Sequence, residues 1–224
     1  MADVVGTFDE VKDHDGGNIK KVLRMAVFVA PWETGPAIAT LTDNSNELVI
    51  PDAYESVGIL DKESAFSSTP SITVSEVSGY GYGQTLRRDM VSRNTTIAFT
   101  MLETRRIAFE LYYGIDLSAV TATAAPKNEL TFDEPDRPET RYYRVLCVGM
   151  DGDGANALYI ADFYPKATVS EVAALSSSET EPRRYAVTLG VDVDTIVGTG
   201  HRQFLAGPGF STQEITAMGF TRAA

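Results

Sequence analysis

Few residues in this chain have the type and spacing to do chemistry, and each has a plainer use. Asp151-Gly152-Asp153-Gly154-Ala155-Asn156 has the look of a calcium loop. An EF-hand loop needs an acidic or amide residue at its fifth position, Gly at its sixth and Glu at its twelfth. Ala155, Asn156 and Asp162 stand there instead, so the segment reads as a hairpin turn. Gly79-Tyr80-Gly81-Tyr82-Gly83 lacks the third-glycine spacing of a dinucleotide fingerprint and no helix follows it. It reads as a bend or bulge with exposed tyrosines. Asp133-Glu134 and Asp136 would suit paired acid–base work, but Pro135 and Pro138 place them on a loop as solvated charge. Arg87-Arg88 and Arg105-Arg106 would suit phosphate, yet acidic neighbours surround them, and intrachain or intersubunit ion pairs fit better. Cys147 sits in the apolar run Val145–Val148 and reads as a buried thiol. His14 and His201 are too far apart in sequence to suggest a zinc cluster. The expectation is a protein that is not an enzyme and holds no cofactor or metal.

Composition points the same way. The 224 residues carry 19 Lys+Arg against 31 Asp+Glu, a formal net charge of -12. That excess argues against gripping a phosphate backbone, because Lys and Arg carry nucleic-acid affinity. One cysteine excludes a disulfide framework. The N-terminus shows no basic segment followed by an apolar one, so no signal peptide is expected. No apolar run is long enough for a membrane-spanning helix.

The elements that must position these residues are mostly strands. Residues 1–21 read as a polar arm, 22–197 as the folded domain and 198–224 as a glycine-bearing tail. Val22–Ala30 is a β-branched run stopped by Pro31. Residues 31–50 read as a loop long enough to be functional, and 54–61 as a second strand region. Ser71–Ser78 and Thr95–Met101 are strands, the latter with Ile97, Phe99 and Met101 on a core face and Thr96, Ala98 and Thr100 on a small, polar one. Thr73-Val74-Ser75-Glu76-Val77 recurs as Thr168-Val169-Ser170-Glu171-Val172, and each copy opens a strand–connection–strand unit. The second unit ends in Arg184–Asp192, with Tyr185, Val187, Leu189 and Val191 on one face. Between the copies, 103–113 reads as a helix with an Ile107, Ala108, Leu111 stripe and Gly114 as its stop. Arg141–Val148 and Leu158–Phe163 form a hairpin about the Asp151–Gly154 turn. The fold class is mainly β: a β-sandwich or partial barrel with one flanking α-helix and long loops.

The order of these pieces resembles the major tail tube proteins of long, non-contractile-tailed (siphovirus-type) phages of actinobacteria. Ala30-Pro31 with Glu33-Thr34-Gly35-Pro36 is similar to that family's entry motif, although Trp32-Glu33 stands where the family has Gly before Thr. Gly81–Asp89 is similar to its aromatic–glycine–Arg-x-Asp segment. Phe99–Thr104 leading to Glu110–Gly114 resembles its strand-to-helix junction, and Phe163–Val169 with Tyr185–Leu189 its C-terminal hairpin. Gly207-Pro208-Gly209-Phe210 resembles its ending. The resemblance runs collinearly over roughly residues 25–210.

It implies a subunit that completes a β-barrel tube on oligomerisation, with hexameric rings stacked helically as the conduit for genome delivery. The implied partners are further copies of itself, tape-measure, tail-tip and tail-terminator proteins, and double-stranded DNA in transit without specific binding, with no membrane. The implied location is the tail of a virion assembled in the host cytoplasm. Under this resemblance Thr73, Ser75, Thr96, Thr100, Thr168, Ser170, Thr188 and Asp192 line the bore. Glu76 and Glu171 share a face with Val74 and Val169, and burial of an unpaired carboxylate is costly. Each strand is therefore expected to end or bulge there and turn its acid to the bore. Trp32, Glu33, Thr34, Asp43 and Asn44 are the candidates for contacts between rings, on a loop expected to be ordered only by a neighbour. The competing expectations are a glycan-binding or adhesive β-sandwich module, which would remain a monomer, and a hydrolase on a jelly-roll scaffold with Asp and Glu as acid and base.

Overall fold

The computed structural model describes residues 6–12, 14–137 and 139–223. Met1–Val5, Asp13, Pro138 and Ala224, which the arm, loop and tail readings include, lie outside these. The elements are α1 (Phe8–Val11), β1 (Arg24–Pro31), β2 (Glu55–Ser56), β3 (Ser67–Ser78), β4 (Thr85–Met101), α2 (Arg106–Tyr113), β5 (Tyr142–Asp151), β6 (Leu158–Val172), β7 (Tyr185–Val191), β8 (Arg202–Ala206) and α3 (Thr212–Ala217). All strand pairs are antiparallel, in one eight-stranded sheet of order β2-β1-β5-β6-β7-β4-β3, with β8 on β6.

The sheet folds over itself about β6. The first half of β6 pairs with β8 from Tyr159 to Phe163, and its second half pairs with β7 from Ala167 to Val172. Val27 and Val29 of β1 and Val145 and Cys147 of β5 thereby share a core with Ile97 and Phe99 of β4 and with Tyr185, Val187 and Leu189 of β7. Ile107, Ala108 and Leu111 of α2 close it, as their spacing predicts. Gly114, at φ 67°, ends the helix in the left-handed conformation that a side chain would strain. The helix starts at Arg106 rather than near 103 because the Glu103 carboxylate serves outside it, accepting from the Ile59 amide and pairing with Arg105.

A second core lies on the opposite face of the same strands. Leu146 and Val148 of β5 meet Ala161 and Phe163 of β6 there, covered by Ile38 and Leu41. β5 is thus buried on both faces, which explains its unbroken apolar run.

That cover corrects the expectation for residues 31–50. Apart from a Thr42–Leu48 bridge the segment is irregular, but its own subunit orders it. Arg144 Nε donates to the Gly35 carbonyl at 3.0 Å, Arg202 Nη1 to that of Ile38 at 2.9 Å, and the Tyr54 hydroxyl to that of Pro36 at 2.7 Å. Within 54–61 only Glu55–Ser56 is strand, with a Leu60–Met101 bridge. Gly58 turns the chain at φ +88°, where a Cβ would meet the Glu103 carboxylate. Nor is 198–224 only a tail. β8 fills the edge that the first half of β6 would otherwise leave open. Gly207 and Gly209 bring the following turn against Asn156 and Ala157 more closely than a Cβ would allow. The arm meets α3 through Lys20–Glu214 at 2.6 Å and Asn18 Nδ2 donating to the Ala217 carbonyl.

Candidate assembly surface

Four neighbouring strands, β6–β7–β4–β3, carry one small, polar face. The register builds it in rows: Thr69, Thr96, Gly190 and Thr168 lie across from one another, as do Ser67, Ala98, Thr188 and Glu171. Thr73 opposite Ser92 and Ser75 opposite Asp89 continue that face along β3 and β4. Thr73, Ser75, Thr96, Ser170, Glu171 and Asp192 are exposed, and Thr168 and Thr188 half-buried. Thr100 is the correction. It is only 6% exposed, under the 61–64 turn, with Ser64 Oγ 3.0 Å from its hydroxyl, so it faces protein and adds almost nothing to the polar face. Ser67, Thr69, Ser71, Ser92 and Asn94 belong to the face although sequence reasoning omitted them. The alternation of Ser67-Ser68-Thr69-Pro70-Ser71 was the available signal, obscured by a proline that an edge strand tolerates.

The two glutamates behave differently. In β6 the register shifts between Val169 and Glu171, so Ser170 is the extra residue and Glu171 turns to the polar face opposite Thr188. In β3 the shift between Thr73 and Val74 is absorbed by Val91 of β4. Glu76 therefore stays on the face of Val74, opposite Arg88, and bonds to Arg88 Nε at 2.8 Å. It escapes burial because no core lies beneath it.

Beyond Thr95, β4 leaves β7 and pairs only with β3. This ribbon is exposed on both faces: Ile72, Val74, Val77, Leu86, Met90 and Val91 are each 48–64% accessible. From Asn94 to Thr85, at about 3.3 Å per residue, it reaches roughly 30 Å past the body. Gly79–Gln84 turns it, with Tyr80 and Tyr82 exposed at the tip and Gly81 at φ +84°.

Of the candidates between rings, Glu33, Thr34, Asp43 and Asn44 are exposed, but Trp32 is half-buried and engaged within the subunit. Its Nε1 donates to Asp194 Oδ2 at 3.0 Å, its ring meets Tyr142 edge-on, and Lys166 Nζ lies 4.8 Å from the ring centre. Asp194 is fully buried, 3.0 Å from the buried Arg144 guanidinium. Burial alone would push the Asp194 carboxyl up. The Trp32 bond, the Ile196 and Val197 amides and Arg144 outweigh it and hold the group below the usual carboxylate range. This node ties the 31–50 cover to β5 and to the turn after β7.

The groups weighed for chemistry are spent elsewhere. Burial pushes the Cys147 thiol up to about 12, so it is protonated at neutral pH. Asp151 and Asp153 accept backbone amides of their own turn. His201 Nε2 lies 2.8 Å from Asp162 while its ring stacks on Tyr164. Among the described residues no group of three His, Cys, Asp or Glu side chains is placed to hold a metal.

No family model matches the chain, and no curated protein matches it. Among solved structures, it is similar to a chain of the sheath–tube complex, in its extended state, of an extracellular contractile injection system (PVC). That similarity has a TM-score of 0.45 and 11% identity, over 91% of this chain and 99% of the other. It is also similar to a chain of the anti-feeding prophage cap, the AFP tube-terminating cap, with a TM-score of 0.42 and 13% identity over 91% and 95%.

Proposed function

We propose that this protein is the structural subunit of a phage tail tube, self-assembling into hexameric rings that stack into a hollow conduit for the genome. The observation that carries the reading is the four-strand leaf with one small, polar face and an open edge on each side. Among the described residues β3 has no partner on its outer edge, and β6 beyond Thr168 is paired on one side only. Antiparallel alternation gives β3 and β6 opposite directions, so β3 of one copy beside β6 of the next continues the antiparallel pattern around a ring. An edge that is an aggregation liability in a monomer is then paired, and repetition of one head-to-tail contact closes a ring.

Size supports it. About 24 strands, four from each of six copies, spaced ~4.8 Å apart and tilted ~40°, close at a backbone diameter of ~45–50 Å. After roughly 10 Å for side chains, a duplex about 20 Å wide passes. Threonine, serine, Glu171 and Asp192 dominate the inner face, and its cations are occupied, Arg87 by Asp89 and Lys166 over the Trp32 and Tyr142 rings. Passing phosphates find little free positive charge, and like charge keeps them off within a Debye length of ~10 Å at 0.1 M salt. Tape-measure, tail-tip and terminator proteins as partners, a siphovirus-type tail of an actinobacterial phage and assembly in the host cytoplasm belong to this same reading.

The test is electron microscopy and sedimentation of the concentrated chain, with tape-measure and tip proteins supplied. Rings or tubes with a bore near the size above are expected. A monomer at every concentration removes the reading in favour of a monomeric binding module. Changing Thr96 and Thr188 to Lys should permit assembly but slow genome ejection, most at low salt; ejection at the normal rate would remove these faces from the bore.

A further inference from the structure

We propose that the tip of the β3–β4 ribbon of one copy seats in an acidic cleft at the opposite end of the next copy, a contact that rests on the tube reading above. The cleft, of about 470 Å³, opens where α2, the end of β1 and the start of β5 meet. Glu33, Glu55, Glu110, Asp116 and Glu139 line it against only Arg106 and Arg141. Arg106 is bound to Glu55 and Glu110, and Arg141 to Asp116, so both cations are engaged and acid is left over. Tyr143 also lines the cleft. It is 5% exposed, and its hydroxyl lies within reach of Arg141, itself paired with Asp116. The charged groups that act on that hydroxyl, Arg141, Glu110 and Asp116, are all cleft residues. A net-acidic cleft walled by a buried phenol is complementary to a polar, cationic visitor.

The ribbon has that chemistry. Between Ser67 and Asn94 it carries Arg87, Arg88 and Arg93 against Glu76 and Asp89, a net positive segment on a chain of net charge -12. Arg87 and Arg88 are held only by exposed pairs with Asp89 and Glu76. Such pairs contribute little and re-form readily. Tyr80 and Tyr82 stand out at the tip, and tyrosine and arginine are the residues that most often anchor interfaces.

The register places the two surfaces at opposite ends. Tyr143 is level with Ala167, Ala167 with Val191 and Val191 with Thr95. From Thr95 the ribbon runs away in one direction, while β4 runs in the other to Met101 and α2. A tip and a receptor at opposite ends of one subunit form a contact that never closes on itself, and such a contact propagates as a filament.

The test uses the full chain. Tyr80→Ser with Tyr82→Ser alters only exposed side chains, so circular dichroism and the urea midpoint should match the parent. Tube mass should fall roughly ten-fold or more, leaving rings. Glu55→Lys with Asp116→Lys should do the same. In a separate variant, Tyr82→Cys with Glu33→Cys should form disulfide-linked ladders in assembled material on oxidation, against a low background because Cys147 is buried. Tubes of normal length from the tip variant, or tubes without ladders from the cysteine pair, overturn the seat and leave the tube reading standing. Parent protein that forms neither rings nor tubes overturns both.

Discussion

The same five residues, Thr-Val-Ser-Glu-Val, occur in β3 at 73–77 and in β6 at 168–172, in two different environments. In β6, Val169 packs against the main core and the following bulge turns Glu171 away from it. In β3, Val74 is 48% exposed, Glu76 keeps to its face, and all five residues are open to solvent. Sequence sets the alternation in both copies, but neighbours decide whether a face is buried. β6 lies under a folded-over sheet, whereas β3 extends past the last residue of β7. A hydrophobic β-strand face left bare within one chain is the surface that the proposed assembly would cover.

That contrast between a covered body and a bare ribbon can be broken by measurement. The largest effect belongs to the buried charge of the body. Asp194→Ala leaves Arg144 buried without its carboxylate and should cost about 3–5 kcal/mol in urea unfolding. Arg88→Ala, at an exposed ribbon pair, should shift the same curve by less than about 0.5 kcal/mol. Next comes core truncation. Leu189→Ala should lose about 2–5 kcal/mol, while Met90→Ala on the ribbon should leave the monomer unchanged. Equal losses at the two sites would mean that the ribbon packs on its own subunit in solution.

The repeated pentapeptide gives a finer comparison. Val169→Asp places a carboxylate against the core and should cost about 1–3 kcal/mol. The identical change at Val74 should be within about 0.5 kcal/mol for the monomer yet reduce assembly. The smallest effect is a pH dependence confined to the body. The Asp194 carboxyl is depressed in the folded state, so its contribution is fully present above the ordinary Asp value of ~3.9 and is lost as pH falls through the folded value. The urea midpoint should therefore decline below about pH 4, and less steeply in Asp194→Asn. An unchanged slope would show that other carboxylates govern acid unfolding.

Local patterns were legible because their causes are local. The Ile97, Phe99, Met101 and Tyr185, Val187, Leu189 alternations, the Ile107–Leu111 stripe with its Gly114 stop, the turn after Asp151 and the burial of Cys147 each depend on a few adjacent residues. The bulge that turns Glu171 outward was legible too, since the cost of burying its carboxylate forces the strand to yield. What lay hidden were choices between distant partners. Nothing in Pro31–Ile50 says that Ile38 and Leu41 cap the outer face of β5 and β6, because the groups that anchor that segment are Arg144, Tyr54 and Arg202. Thr100 read as surface by alternation, and only the 61–64 turn folding back over it buries it. Strand β8 was obscured by its glycine-bearing surroundings and exists because β6 offers an open edge. The sequence by itself thus determined which residues alternate, turn and cap. The tertiary structure alone decided which alternating faces are covered, because coverage is a property of the partner that the chain brings there, and along the β3–β4 ribbon none of the described residues provides one.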